Sequence, residues 1–129
     1  MARIYLVDDS TTMLMSLKAV LEKAGHQVMT ASDGRKGIEL VQKAGKPDLV
    51  ITDLNMPGMD GITMIRELRK LPTMRFTPIL MLTTESQQAK RMEAKKAGAT
   101  GWLVKPVSAK DLLAVLQRVL PRAGAAAGR

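Results

Sequence analysis

Five short apolar runs alternate along this chain with longer segments whose apolar residues recur every three or four positions. The short runs cover residues 4–7, 27–31, 49–51, 79–82 and 102–104. Continuous apolar runs are typical of strands buried on both faces, and the longer spacing is typical of amphipathic helices. The alternation therefore predicts an α/β fold, in which a doubly wound, five-stranded parallel sheet is flanked by five helices. Because the second run is the least continuously apolar, we expect its strand to lie at an edge of the sheet.

Polar residues and glycines mark the expected helix ends. Asp33 and Ser108 precede two helical segments and predict N-caps, and Asp111 fits a capping box with Ser108. Gly25 follows the first helical segment and Gly45 follows the segment that Asp33 precedes, and both glycines predict where those helices end.

The helix expected over residues 87–97 has a thin apolar face formed by Ala89, Met92 and Ala97, and basic residues crowd the rest of its surface. A weakly buried helix is a candidate for movement or for docking a partner.

The length of 129 residues suits one compact domain. We expect this domain to cover residues 1–120, and residues 121–129 to form a flexible C-terminal tail because they contain no core-forming side chain.

The lack of cysteine excludes disulfides and thiolate metal sites, and a single histidine, His26, excludes a multi-histidine site. No segment approaches the roughly 18 apolar residues of a membrane helix, so we expect no membrane insertion and a cytoplasmic location.

The net charge of +8 is unevenly distributed. Residues 1–65 hold seven basic and eight acidic residues, whereas residues 66–129 hold thirteen basic and four acidic residues. A basic protein suggests nucleic acid or an anionic surface as a partner. However, the three aromatic residues, Tyr5, Phe76 and Trp102, do not form the interleaved pattern of nucleic-acid readers. We therefore expect no specific nucleic-acid binding, and only weak association with DNA that salt abolishes.

Chemically distinctive residues follow four of the five expected strands. They are Asp8 and Asp9 after the first strand, Asp53 after the third, Thr83 after the fourth and Lys105 after the fifth. Ligands of open parallel sheets bind beyond the carboxyl ends of the strands. Three carboxylates in one crevice repel one another unless a cation is bound, and oxygen ligands without histidine or cysteine favour magnesium.

Magnesium takes only one or two protein carboxylates and often completes its shell with water and phosphate oxygens, so a phosphoryl group is a natural partner for this crevice. A carboxylate can accept that group as a nucleophile and form an acyl phosphate. Lys105 and Thr83 could contact the phosphoryl oxygens. Taken singly, each residue is explained as well by helix capping or by an exposed loop position, and only the combination carries the prediction.

Longer motifs surround these residues. They read Val7-Asp8-Asp9-Ser10, Pro47-Asp48-Leu49-Val50-Ile51-Thr52-Asp53, Met56-Pro57-Gly58-Met59-Asp60-Gly61, Leu82-Thr83-Thr84, Gly98-Ala99 and Lys105-Pro106. Together they resemble response-regulator receiver domains, and in particular the CheY-like stand-alone chemotaxis regulators. The resemblance extends from residue 3 to residue 120 and implies the strand order 2-1-3-4-5 of flavodoxin-like and CheY-like folds.

The resemblance implies a magnesium-dependent phosphorylation site. Asp53 matches the phosphoacceptor of the family. Asp8 and Asp9 match the acidic pair that holds magnesium, Asp9 more directly and Asp8 partly through water. Asn55 matches the residue whose backbone carbonyl is a further ligand. Together with Asp53, these residues are expected to bind one Mg²⁺ per domain.

The resemblance also implies a switch. Thr83 matches the switch hydroxyl and Lys105 the phosphoryl-binding lysine, and the Lys105–Pro106 peptide bond is expected to be cis. Trp102 stands where the family usually has a switching Tyr or Phe, and its larger ring is expected to shift the balance between inward and outward rotamers. Considered alone, Trp102 is explained equally well as a core side chain of the fifth strand.

Asn55 and Glu85 lie two residues after Asp53 and Thr83, where the family tunes the lifetime of the acyl phosphate. Both are polar and could orient an attacking water, which favours fast self-dephosphorylation. The alternative is that both are exposed loop residues without a role.

The resemblance implies a response regulator of a two-component system rather than an enzyme. A sensor histidine kinase or a histidine phosphotransfer domain would supply the phosphoryl group, and the flagellar motor switch protein is the first candidate for the output partner. The alternative is a phosphorelay intermediate or a phosphate sink. We expect a monomer, with dimerisation on activation left open.

Two enzyme classes do not fit the sequence. An aspartate-nucleophile phosphatase would have a second aspartate where this chain has Asn55, and a dinucleotide-binding enzyme would have a glycine-rich loop after the first strand.

The expected output surface lies on the fourth helix, the fifth strand and the fifth helix. Its candidate residues are Lys90, Arg91, Lys95, Lys96, Trp102, Lys110 and Arg118. Because all but one of these are basic, we expect an acidic docking segment on the partner and an association rate that falls with salt.

Overall fold

The computed structural model describes residues 1–120, and within them it contains five strands, five α-helices and one short 3-10 helix. In chain order these are β1 (Arg3–Val7), α1 (Thr11–Lys23), β2 (Gln27–Ala31), α2 (Gly34–Ala44), β3 (Leu49–Thr52), α3 (Gly61–Lys70), the 3-10 helix (Pro72–Met74), β4 (Ile79–Thr83), α4 (Gln88–Ala97), β5 (Gly101–Val104) and α5 (Ala109–Val119). The strands are parallel and lie in the order β2-β1-β3-β4-β5. The predicted fold class and strand order are confirmed, and β2 lies at an edge of the sheet as expected.

Two hydrophobic cores lie on opposite faces of the sheet. Alternate residues of β1 show the division, because Tyr5 and Val7 belong to the core under α2, α3 and α4, whereas Ile4 and Leu6 belong to the core under α1 and α5. All four side chains are nearly inaccessible to solvent. Burial on both faces explains why the strands are continuous apolar runs rather than alternating ones.

The strand register brings distant residues to one edge of the sheet. Val7 of β1 is paired with Thr52 of β3, and Thr52 is paired with Met81 of β4. Asp8 directly follows β1 and Asp53 directly follows β3. The Asp53 amide donates to the Val7 carbonyl over 2.9 Å. β2 and β3 lie on opposite sides of β1, so the chain reverses direction across the sheet at this point. Such a reversal opens a crevice at the carboxyl ends of the strands.

Four helices begin with a side-chain cap. The capping residues of α1, α2, α3 and α5 are Ser10, Asp33, Asp60 and Ser108, and each accepts a hydrogen bond from the backbone amide three residues later. This satisfies one of the free amides of the first turn and fixes where the helix starts.

The fourth helix differs from its sequence-based prediction. Ala94 is the one fully buried residue of α4, whereas Ala89 and Met92 face solvent and Ala97 is partly buried. The predicted apolar face was therefore largely wrong. Because three of the four apolar residues of α4 are alanines, its faces differ little in hydrophobicity, so packing rather than periodicity decides the orientation of the helix.

Residues 121–129, which we expected to form a flexible tail, lie outside the described residues. Among residues 1–120, no helix is long and apolar enough to cross a membrane.

Gly61 lies where the start of α3 touches the end of β3. Its amide donates to the Leu54 carbonyl over 2.8 Å, and a Cβ atom at this position would overlap the carbonyl oxygen of Asp53. Only glycine allows the two backbones to approach this closely.

We predict that Gly61→Ala lowers the free energy of unfolding by about 3 kcal/mol, because a buried backbone must move to relieve the overlap. The matched control is Gly25→Ala, where no atom lies within 4 Å of the added Cβ. That control should cost about 1 kcal/mol, since Gly25 has a positive φ of 96°. Urea unfolding of both variants measures the difference, and equal losses would contradict the close contact.

Candidate functional site

Three carboxylates meet at the carboxyl ends of β1 and β3. Asp8, Asp9 and Asp53 each offer one oxygen, and these three oxygens lie within 4.8 Å of one another. Asp8 is buried at 4% exposure, Asp53 is partly buried and Asp9 is exposed. The loop after β1 and the loop after β3 therefore form one acidic crevice that is open to solvent on the side of Asp9.

Lys105 reaches this crevice from the loop that follows β5. Its Nζ lies 2.9 Å from Asp8 Oδ2 and 3.5 Å from Asp53 Oδ2. The lysine side chain is only 12% exposed, and those of its partners are 6% and 13% exposed. One ammonium group against three carboxylates leaves an excess of negative charge, which favours a bound cation. The Lys105–Pro106 peptide bond is cis.

Backbone contacts orient the carboxylates of Asp8 and Asp53. Asp53 Oδ1 accepts a hydrogen bond from the Leu54 amide over 2.7 Å, so its Oδ2 is the oxygen that faces Lys105. Asp8 Oδ1 accepts from the Ser10 amide over 2.9 Å, while its Oδ2 accepts from Lys105. Each carboxylate thus has one oxygen bound to its own loop and one directed to the crevice. Asn55 follows on the same loop as Asp53 and is exposed.

Thr83 ends β4 and is fully buried. Its Oγ1 accepts a hydrogen bond from the Glu85 amide over 3.2 Å. The Glu85 carbonyl in turn accepts from Trp102 Nε1 over 3.1 Å, and the Glu85 carboxylate accepts from the Gln87 amide over 3.1 Å. Glu85 therefore links the end of β4, the side chain of a β5 residue and the start of α4.

Trp102 is half-buried and packs against the core under α2, α3 and α4. Its ring contributes to this core, and its indole N–H binds the loop after β4.

A groove of about 740 Å³ runs between α4 and β5. Arg91, Lys95, Lys96 and Trp102 are among its lining residues. Lys90 lies outside this lining, and its Nζ is 3.5 Å from the Glu93 carboxylate. Lys110 and Arg118 are exposed on α5. The structure thus places four of the seven expected output residues along one groove, whereas the exposed cations of α5 lie on a helix that packs on the opposite face of the sheet.

Two features of the site were not found in the sequence. Gly61 lies against the carbonyl of Asp53, and Glu85 makes three hydrogen bonds that involve its amide, its carbonyl and its carboxylate. The aspartate–glycine pair at the start of α3 was a sequence signal for the close contact of Gly61. The contacts of the Glu85 amide and carbonyl are made by backbone groups, and no sequence pattern indicates them.

Residues 4–117 match the response regulator receiver domain family. The chain belongs to this family. Over 120 residues it is 41% identical to protein PilH of Pseudomonas aeruginosa, in a match that covers 93% of this chain and 98% of PilH. The structure of the chemotaxis protein CheY4 of Vibrio cholerae is similar, with a TM-score of 0.89 and 46% identity over 93% of this chain and 99% of CheY4.

A third similar structure is the receiver domain of the sensor histidine kinase PA1611 of Pseudomonas aeruginosa, which has a magnesium ion in its active-site cleft. Its TM-score is 0.84 at 29% identity, over 92% of this chain and 96% of that domain.

The donor set of this receiver domain could hold a divalent cation. Its side-chain ligands are carboxylate oxygens, Asp9 is open to solvent, and the one histidine of the chain, His26, lies before β2, outside the acidic cluster. Hard oxygen ligands with room for water suit magnesium better than a transition metal.

We predict that Lys105→Met lowers the free energy of unfolding by about 3 kcal/mol in buffer containing a metal chelator, because it leaves the buried Asp8 carboxylate without its partner. The matched control is Lys110→Met, which removes an exposed ammonium group and should cost less than about 0.5 kcal/mol. Urea unfolding measures both. Losses of equal size would show that the ion pair of Lys105 adds nothing to stability.

Proposed function

We propose that this receiver domain is a response regulator in which Asp53 accepts a phosphoryl group from the phosphohistidine of a sensor kinase. The observation that carries the proposal is the position of Asp53 Oδ2, which lies beside the Lys105 ammonium group and the two other carboxylates. Family membership supports it, since the chain matches receiver domains over nearly the whole described region.

Asp8, Asp9 and Asp53 would hold one Mg²⁺, together with the backbone carbonyl of Asn55. The bound ion would neutralise the charge of the incoming phosphoryl oxygens. The magnesium ion in the receiver domain of PA1611 supports this assignment, as does the acidic cluster of the present chain.

The transfer consists of one bond formed and one bond broken. The Asp53 carboxylate oxygen attacks phosphorus, the phosphorus–nitrogen bond of the phosphohistidine breaks, and the imidazole nitrogen leaves with the bonding electrons. Lys105 donates a hydrogen bond to a phosphoryl oxygen, which requires it to loosen its contact with Asp8. Such a reaction needs mainly positioning and charge neutralisation, and both are functions of these side chains.

The switch uses the hydrogen bonds of Glu85. When the Thr83 hydroxyl turns to a phosphoryl oxygen, the Glu85 amide loses its acceptor and the loop after β4 rearranges. The Glu85 carbonyl binds Trp102, so the indole ring and the groove between α4 and β5 respond to the same event. Asn55 and Glu85 would also tune hydrolysis of the acyl phosphate, although the Glu85 carboxylate must first leave the Gln87 amide to reach an attacking water.

We predict that acetyl phosphate and magnesium add the mass of one phosphoryl group at Asp53 of the purified protein, because Asp53 Oδ2 faces the crevice beside the Lys105 ammonium group. Peptide mass spectrometry after borohydride trapping locates the adduct. Asp53→Asn is expected to abolish it, and Asp48→Asn, which changes a carboxylate at the opposite end of β3, is expected to leave it unchanged. No adduct on the native chain, or an undiminished adduct on Asp53→Asn, would refute the proposal.

The output is a protein–protein interaction of the chemotaxis type. Similarity to CheY4 supports a partner such as the flagellar motor switch protein, bound through the basic surface around the α4–β5 groove. The alternative, a phosphorelay intermediate or phosphate sink that exchanges phosphoryl groups with a histidine phosphotransfer domain, is supported by similarity to a receiver domain that belongs to a histidine kinase. In both cases the protein is a cytoplasmic regulator rather than a classical enzyme. We propose a monomer that binds neither nucleic acid nor membrane.

We predict that the phosphorylated protein binds a fragment of the host's motor switch protein at least tenfold more tightly than the unphosphorylated protein does, and that the association rate falls with salt. Surface plasmon resonance at two ionic strengths measures both effects. Preferential binding to a histidine phosphotransfer domain would favour the alternative, and insensitivity to salt would exclude the basic surface from docking.

A further inference from the structure

Arg69 is a partly buried arginine that binds backbone carbonyls. Its Nη2 and Nε donate to the Gly98 carbonyl over 2.7 and 3.2 Å, and its Nη1 donates to the carbonyls of Thr77, over 2.7 Å, and of Met74. Among residues 1–120, no carboxylate lies within salt-bridge distance of it. Burial lowers the pKa of Arg69. One guanidinium group therefore joins the end of α3, the segment before β4 and the end of α4.

The C-terminal end of α4 is firmly attached to the rest of the domain. Gly98 ends the helix with a φ of 118°, and the Ala99 amide donates to the Ala94 carbonyl over 2.9 Å. Thr100 then makes two hydrogen bonds with Ile79, the first residue of β4, over 2.8 and 3.0 Å. Together with Arg69 and the buried Ala94, these contacts fix this end of the helix to α3 and to the sheet.

The N-terminal end of α4 has much weaker attachments. Gln87 is its N-cap and provides no side-chain cap, whereas α1, α2, α3 and α5 each have one. Ala89 and Met92 face solvent. The loop before the helix is held by the contacts of Glu85 with Thr83, Trp102 and the Gln87 amide, and the proposed switch rearranges the first two of these contacts.

We propose that α4 is hinged at its C-terminal end, that Arg69 is the positioning residue that anchors this hinge, and that activation moves the N-terminal half of the helix only. The trigger rests on the proposed function, whereas the unequal attachment of the two ends is a property of the unphosphorylated protein. The groove between α4 and β5 would then change beside Gln88 and Trp102 and keep its shape beside Lys95 and Thr100. A partner would be held at one end of the groove and would sense phosphorylation at the other.

Amide hydrogen exchange, measured residue by residue by NMR on the full chain, tests the hinge. In the unphosphorylated protein, we expect the amides of Gly98, Ala99 and Thr100 to be protected about tenfold more strongly than those of Arg91 and Met92. A surface helix without an anchor would open from both ends, so equal protection at the two ends would overturn the proposal.

The variant Arg69→Met should reduce protection of the Gly98, Ala99 and Thr100 amides about tenfold, because hydrogen bonds from a charged donor are lost. The matched control is Arg66→Met, one turn earlier on α3, which removes an exposed contact of 3.5 Å to Glu93 and should leave those three amides unchanged. Arg69→Lys keeps the charge without the planar fork and should give an intermediate loss. If neither variant at position 69 changes the protection, Arg69 is not the anchor.

Magnesium and acetyl phosphate complete the test. We expect exchange to accelerate over residues 91–93, the first amides of α4 with helical acceptors, and to stay constant over residues 98–100. In Arg69→Met we expect acceleration along the whole helix. Uniform acceleration in the native chain would overturn the hinge. If no adduct forms on Asp53, the proposed function fails, while the protection of the two helix ends in the unphosphorylated protein still decides whether the hinge exists.

Discussion

The ion pair between Lys105 and Asp8 joins the two ends of the described domain across the carboxyl edge of the sheet. β5 and β1 are separated by β3 and β4, so this contact exists only when all of these strands are in register. It also sets the chemistry of the crevice, because the lysine offsets part of the repulsion among three carboxylates. The acidic site can therefore exist in a stable fold before any cation or phosphoryl group arrives.

The same edge of the sheet connects the site to the surface. Thr83 ends the strand next to β3, and its hydroxyl is engaged with the loop that leads into α4. The attachments of α4 are unequal along its length, because Ala94 is buried and Arg69 binds the Gly98 carbonyl near its C-terminal end, whereas Gln87 provides no side-chain cap at its start. Local stability of this kind determines which part of a structure can respond to a ligand and which part stays fixed.

The uneven charge of the chain follows from the separate positions of the acidic crevice and the basic groove. The acidic residues of the first half include the three carboxylates of the crevice, and the basic residues of the second half include Lys105 and the cations around the α4–β5 groove. Exposed cations contribute little to stability. The cations that line the groove are consistent with the acidic partner that we propose.

The sequence by itself determined the fold class, the approximate extent of the five strands, and the residues at the strand ends, whereas the 3-10 helix at Pro72–Met74 was not predicted. These features depend on local periodicity, on caps such as Ser108 and on the rule that strand ends meet at one edge. Only the tertiary structure decided that Lys105 pairs with Asp8, that Ala94 rather than Met92 packs under α4, and that Arg69 binds the Gly98 carbonyl. The physical reason is that these contacts join segments far apart in the sequence through register and packing. Moreover, every residue has a backbone carbonyl, so no pattern of side chains in the sequence indicates which carbonyl an arginine will bind.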